Sequence, residues 1–573
     1  MSQFYDQASL VMVPSGYKAG KVYSQKPLST DGELTFTRNS NATRIGPDGK
    51  LERVRTNYCR YSQDFGSWSK FGSVTRTTGV TDPNGGTTAA TIANIPSGNF
   101  TDGIMLANNP MTIGSEPIIG SVWLKGSGTI GLALERSVSG DYFFYQKLVT
   151  LTSTWTRYNI RGSSGGSRAG FTFYIANKTD STATSVDVAF AQTEYGDIET
   201  DYIATTSAAV SVGATANVPR LDYTPTLGQS GGDGCPSLLL EPQRTNLALW
   251  SESFDNAAWL KFDLNVTANQ TASPTGYVDA DLITTTAIND ALQQNFSAVN
   301  GTSYTLSTFL KSGTADTISL VVFGAFSTSV GTYNLTNKTA TSGAGSPIVS
   351  IQDYGSGWFR VTLTTTATST GTGSFYFASS STSAVSTYYL WGAQCEAGSY
   401  ASNYIPTLGA SVTRLADAAY KTGISSLIGQ TEGTIFLEVE RDAGVGFENL
   451  LFLGDGGLDN FVNVIYDNSV NRYKGQVRSA GTTDGVVTAQ SAYTGKLKIA
   501  VAYAANDLVL YINGVLQQTD TSVTLPSNTL SVMGVGSYYN TAYGPDMFRG
   551  DFHQMLLFKT RLSNADLETL TTL

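Results

Sequence analysis

The chain has 573 residues, 41% of them apolar and only 14% charged, with 59 glycines and a formal net charge of −10. Domains run to about 100–200 residues, so this length excludes a single hydrophobic core. The plentiful Tyr and Phe exclude a disordered chain, and an acidic chain without a basic stripe excludes broad nucleic-acid binding. Ser, Thr, Asn and Gly stand where charge would otherwise be, which suits pleated strands and tight turns and predicts an all-β protein.

In chain order, residues 1–54 come first. They show no basic n-region followed by a long apolar run, as a signal peptide would have. No stretch of about 18 apolar residues occurs anywhere, so no membrane insertion is expected. This segment is read as an N-terminal arm.

Residues 55–212 and 244–412 are two copies of one unit, joined by a connecting segment at 213–243. Arg55-Thr-Asn57, with Trp68 and Phe71, returns as Arg244-Thr-Asn246, with Trp259 and Phe262. Ser121-Val-Trp-Leu-Lys125 returns as Ser307-Thr-Phe-Leu-Lys311, and Trp155-Thr-Arg157 as Trp358-Phe-Arg360. Ala191-Gln-Thr-Glu194 with Tyr202 returns as Ala393-Gln-Cys-Glu396 with Tyr404. Landmarks in one order, about 190–200 residues apart, are too widely spaced for a solenoid and mark two complete domains. Residues 303–310, 318–323 and 358–364 read as strands, so each copy is expected to be a β-sandwich. Trp155 and Trp358 are read as core residues rather than sugar-stacking platforms. Cys59, Cys235 and Cys395 are too few and too scattered for a disulfide framework and are read as free thiols.

A linker at 413–429 leads into a third sandwich, residues 430–573. Strands are expected at 433–440, 496–503 and 508–512. Asn513-Gly514 marks a tight hairpin, and Ser563 or Asn564 caps a short final helix. Tyr538, Tyr539 and Tyr543 lie in a Gly-flanked loop. Each combines an apolar ring with a hydroxyl, which makes them the candidate ligand-binding residues. Asp455-Gly-Gly-Leu-Asp459-Asn460 could offer oxygens to Ca²⁺ but lacks a calcium-loop spacing, so it is read as a turn. No other cofactor is expected. Arg549-Gly-Asp551 is read as a turn entering a strand, not as an adhesion signal.

Catalytic residue types are scarce. His553 is the one histidine, no nucleophile-elbow pattern occurs, and a His- or Cys-rich zinc site is excluded by count. Glu438 and Glu440 share a strand face. The Glu-x-Asp-x-Glu pattern of concanavalin-like hydrolases is nevertheless incomplete there. No enzyme is expected.

Several strings resemble phage head-spike and tail-fibre proteins with tandem carbohydrate-binding-module-like jelly rolls. They are Leu238-Leu-Leu-Glu-Pro-Gln-Arg-Thr-Asn246, Val218-Pro-Arg-Leu-Asp-Tyr223, and Phe36-Thr-Arg-Asn-Ser-Asn-Ala-Thr-Arg44. The last third resembles a laminin-G/concanavalin-A-like domain. The resemblance implies an arm followed by three β-sandwich (jelly-roll) domains in a virion structural protein on the exterior of a capsid or tail. Its implied partners are other virion proteins reached through the arm, further copies of itself, with a trimer favoured, and a host-surface glycan. A polysaccharide depolymerase and a decoration protein without ligand are the alternatives.

Overall fold

The computed structural model describes residues 2–113, 117–138, 141–163, 168–196, 198–223, 235–287, 290–379, 385–442, 447–538 and 547–572. Nearly all regular structure is β, as the composition predicts. Among the described residues α-helix is confined to Ser2–Gln7 and Asn564–Thr571, the latter capped by Ser563, whose hydroxyl accepts from the Asp566 N–H.

Val54–Gly213, with Tyr277–Asp279, form one unit. Two five-stranded antiparallel sheets enclose its core. One runs Thr156–Ser163, Pro117–Gly126, Ser185–Tyr195, Ala89–Ala93, Thr75–Val80. The other runs Asp141–Thr150, Thr129–Val138, Arg168–Ala176, Gly103–Ile113, Ser69–Phe71. Trp68, Ile104, Leu132, Phe173 and Val188 fill the space between them. A two-stranded clasp, Arg55–Asn57 against Val210–Val212, closes the unit where the chain enters and leaves.

The second copy repeats this plan with six strands per sheet. Its outer sheet runs Leu260–Phe262, Ala291–Ala298, Gly371–Ser379, Thr317–Gly324, Ser329–Asn334, Thr339–Ser342. Alternation sets its faces: Phe375 and Phe377 enter the core, so Tyr376 between them points out. Arg244–Asn246 against Val412–Arg414 forms the equivalent clasp.

Buried polar pairing explains why the repeat landmarks recur. The Asn57 amide donates to the carbonyls of Ala191 and Ile203 at 3.0 and 2.7 Å, and its oxygen accepts from the Cys59 and Thr193 N–H groups. Asn246 makes the same four bonds with Ala393, Ile405, Ala248 and Cys395. Gln192 donates to Glu194 at 2.9 Å and accepts from the Ile203 N–H; Gln394 does the same with Glu396 and Ile405. An interior amide or carboxylate left unpaired costs about 1–3 kcal/mol, so each lattice is held as a set.

The third sandwich differs from the sequence reading. Its strands come from three separate parts of the chain, not from 430–573 alone. Leu10–Met12 pairs with Gly550–Phe558, Leu34–Thr37 with Ala418–Thr422, and Ser237–Leu240 with Gly550–Phe558. The expected arm, connecting segment and linker are therefore strands of this scaffold. Its sheets have eight and nine strands. Leu10, Val22, Leu34 and Phe36 lie in one core with Leu238, Ile435, Val501 and Met555. The reason is burial: each such side chain contributes about 1.5–3 kcal/mol when withdrawn from water. Phe4 of the first helix and Leu567 and Leu570 of the last cover the outside of the eight-stranded sheet against Phe436 and Phe558. The Asn513-Gly514 hairpin forms as expected, with φ +48° and +79°.

Segments of the scaffold and second copy meet at an ionic hub, fully buried but for Arg549 at its edge. Arg38 donates to Asp417 at 3.0 Å, and Arg220 to Glu241 at 2.7 Å and also to Asp417. Arg414 stands 3.3 Å from Glu241, as does Arg549.

Candidate functional site

The outer sheet of the second copy carries a groove of about 670 Å³. Register produces it. One row across four strands reads Gln293, Tyr376, Val321, Val330. In the neighbouring row Ala378 stands opposite Ser319, and on the edge strand Phe262 stands opposite Ala291. Ala291, Ala378 and Ser319 are small, so the sheet surface is left uncovered beside the rings of Tyr376 and Phe262. Phe262 is 48% exposed. Phe323 packs edge-on against Tyr376 at 5.9 Å and steadies that ring.

One end of the groove is polar. Asp263 follows the Phe262 strand, and Asp290 precedes the Ala291 strand. Asp290 accepts from the Ser379 N–H at 2.9 Å. Burial raises its pKa, the Ser379 bond opposes this, and the Asp263 charge raises it further. A flat ring face beside hydrogen-bond acceptors is an arrangement that can hold a polyhydroxylated ring.

In the first copy the corresponding positions are occupied by packed rings. Tyr174 corresponds to Tyr376 and Phe71 to Phe262 by register. There Tyr174 is met edge-on by Phe71 at 5.8 Å and Phe144 at 6.0 Å, while Phe100 meets Phe144 at 4.8 Å. Glu135, at the position of Phe323, accepts from the Tyr174 hydroxyl. The rings pack on one another.

The sequence-predicted site lies elsewhere. Tyr538 packs edge-on against Phe452 at 5.4 Å, beside Phe461 and Val532. Tyr539 and Tyr543 lie outside the described residues. Phe262 and Tyr376 were missed, although an aromatic residue at the outward position of an alternating run (Phe375, Tyr376, Phe377) is a legible signal. Trp358 is buried, and its indole N–H donates to the Ala272 carbonyl; Trp155 is half-buried with Lys125 over its ring at 5.3 Å. Neither lines the groove.

Asp455 forms a turn, accepting from the Gly457 N–H at 2.9 Å and from Asn460 and Asn528. Among the described residues no group of three or more His, Cys, Asp or Glu is arranged to hold a metal ion. Arg549 of the Arg-Gly-Asp tripeptide is occupied by Glu241 and Asp442 and lies over the Tyr400 ring. Glu438 stands 3.5 Å from Lys496. Glu440 and His553 line a second cavity of about 290 Å³ with Asp222, Asp442 and Asp551. Burial pushes Asp222 up to about 7 and raises Asp551 well above its ordinary value. Asp551 accepts from the Ser237 hydroxyl at 2.5 Å and Asp222 from the Ile45 N–H at 2.7 Å. Cys59 and Cys395 are buried and Cys235 exposed, all as free thiols.

No family model matches the chain, and no curated protein matches it. Solved structures similar in part include a NanB sialidase from Streptococcus pneumoniae, at 15% identity and TM-score 0.24 over 27% of this chain and 26% of the sialidase. The CBM40 of the Ruminococcus gnavus IT-sialidase, bound to sialyllactose, aligns at 16% identity and TM-score 0.23 over 26% of this chain and 91% of that module. Domain 4 of AbnA, an extracellular arabinanase from Geobacillus stearothermophilus, in complex with arabinotriose, aligns at 13% identity and TM-score 0.23, over 30% of this chain and 84% of that domain. The chain thus spans about a quarter of the sialidase's length.

Proposed function

We propose that the chain is a non-enzymatic glycan-binding protein of the exterior of a phage virion, which holds host-surface sugar in the groove of its second sandwich. The groove carries this reading: Phe262 and Tyr376 offer ring faces beside Asp263, Asp290 and Gln293. The scarcity of catalytic residue types and the phage-like strings around Arg220, Glu241 and Arg44 support it. The first sandwich, whose equivalent face is filled by its own rings, acts as a spacer. Attachment to other virion proteins falls to the scaffold, because the N-terminal segment is woven into its sheets. The chain works as a homo-oligomer, a trimer.

Binding of the purified protein to host cells, compared with Phe262→Ala and Tyr376→Ala variants, tests the ligand role. Loss of binding, by tenfold or more, is expected from each variant. Unchanged binding in both sinks the groove. Release of soluble sugar from host capsule would instead favour the depolymerase, and absence of the chain from purified particles would remove the virion reading.

A further inference from the structure

We infer that the groove of the second sandwich selects neutral glycans, built from hexose or N-acetylhexosamine rings, and rejects those bearing carboxylate or sulfate. The inference rests on reading the groove as a sugar site and adds the class of sugar.

The charge of the lining decides it. Among the described residues no Lys or Arg lines the groove, whereas two carboxylates do, Asp263 and Asp290. Anionic sugars are recognised through charge-assisted hydrogen bonds from cations, arginine above all. Lys261 is next to Phe262 in the sequence. Strand alternation turns it to the other side. There its ammonium donates to the carbonyls of Asp255, Asn256 and Trp259 at 3.0–3.2 Å. It is therefore engaged away from the groove.

Neutral rings fit the same lining. An ionised carboxylate only accepts hydrogen bonds, and a sugar hydroxyl can donate them. Asp290 is only 4% exposed and keeps one oxygen on the Ser379 N–H, so its direction is fixed. Gln293 adds both a donor and an acceptor in the Tyr376 row. A ligand carboxylate set among these groups would meet like charge with no cation of the lining to offset it. Burial already disfavours the charge on Asp290, and a second anion beside it raises that opposition.

The test uses the full chain on matched oligosaccharides, N-acetyllactosamine and cellotetraose against sialyllactose and a uronic-acid oligomer, with saturation-transfer NMR as the readout. Binding of at least one neutral probe is expected, tenfold or more over the anionic probes and lost in both Tyr376→Ala and Phe262→Ala. Thermal melting of the two variants checks that each is folded. Asp263→Asn keeps the backbone preference of that position and removes one charge, so it should narrow the neutral-to-anionic gap. Tyr376-dependent binding that prefers the anionic probes overturns this inference and leaves the groove standing as a sugar site. Failure of every probe and of host cells to bind through Tyr376 overturns the groove reading itself.

Discussion

Glu241 is bonded or close to three guanidiniums, those of Arg220, Arg414 and Arg549, and Asp417 faces Arg38, Arg220 and Arg414. Burial alone would raise the Glu241 pKa, but the arginines outweigh it and hold the carboxyl well below its ordinary value. Removing one charge leaves its partners buried and uncompensated, so Glu241→Gln is expected to cost about 3–5 kcal/mol, read as a lower denaturation midpoint. Asp222 behaves in the opposite sense. Its carboxyl is pushed up to about 7 by burial from an ordinary 3.8. A raised folded-state pKa gives stability that is full below the unfolded pKa and is lost as pH rises through the folded one. Thermal melting between pH 4 and about 8 should therefore show a decline that Asp222→Asn removes. A decline unchanged in the variant would assign it to other groups. Glu241 works the other way, its contribution present above its ordinary pKa and lost on acidification.

At the scale of elements, the strands Leu10–Met12 and Leu34–Thr37 carry the clearest consequence. An anchoring arm could be removed without harm to the rest. Strands that bury Leu10, Val22, Leu34 and Phe36 cannot. Deletion of residues 2–37 is expected to abolish cooperative melting of the scaffold, read by calorimetry against the intact chain. Survival of the full transition would restore the arm. These strands were illegible in the sequence for a physical reason. A run of three or four residues is too short to show a period of two. Its partner, Gly550–Phe558, lies more than 500 positions away for Leu10–Met12. By contrast Val515–Asp520 was legible because its partner, Asp507–Ile512, ends directly before Asn513-Gly514. Tyr376 was legible in principle, but the cavity beside it depends on Ala291, Ala378 and Ser319, small residues whose alignment exists only once three strands are in register.

At the scale of the molecule, the duplication was readable because the residues that recur are those an interior cannot release. Asn57 and Asn246 each satisfy four backbone groups. The divergence was not readable, since ring packing in one copy and an open groove in the other use the same positions for Tyr174 and Tyr376. Residues 54–213 possess their own core and clasp, so this fragment alone is expected to be folded and to unfold in one transition. A fragment that is unstructured by circular dichroism would show that its core is insufficient.

The chain visits the scaffold, leaves for one sandwich, returns, leaves for the next, and returns again. Gly550–Phe558 pairs with Leu10–Met12, Ser237–Leu240 and Glu432–Arg441 at once. During synthesis that strand emerges last of these. Both inserted sandwiches can close on the ribosome as soon as their clasps are made, while Leu10–Met12 waits, unpaired on this side, until more than 500 further residues have been made. Closure of the scaffold thus follows that of the sandwiches inserted in it. Its yield in a producing cell depends on how well apolar strands such as Leu10–Met12 are shielded from neighbouring polysomes until Gly550–Phe558 arrives.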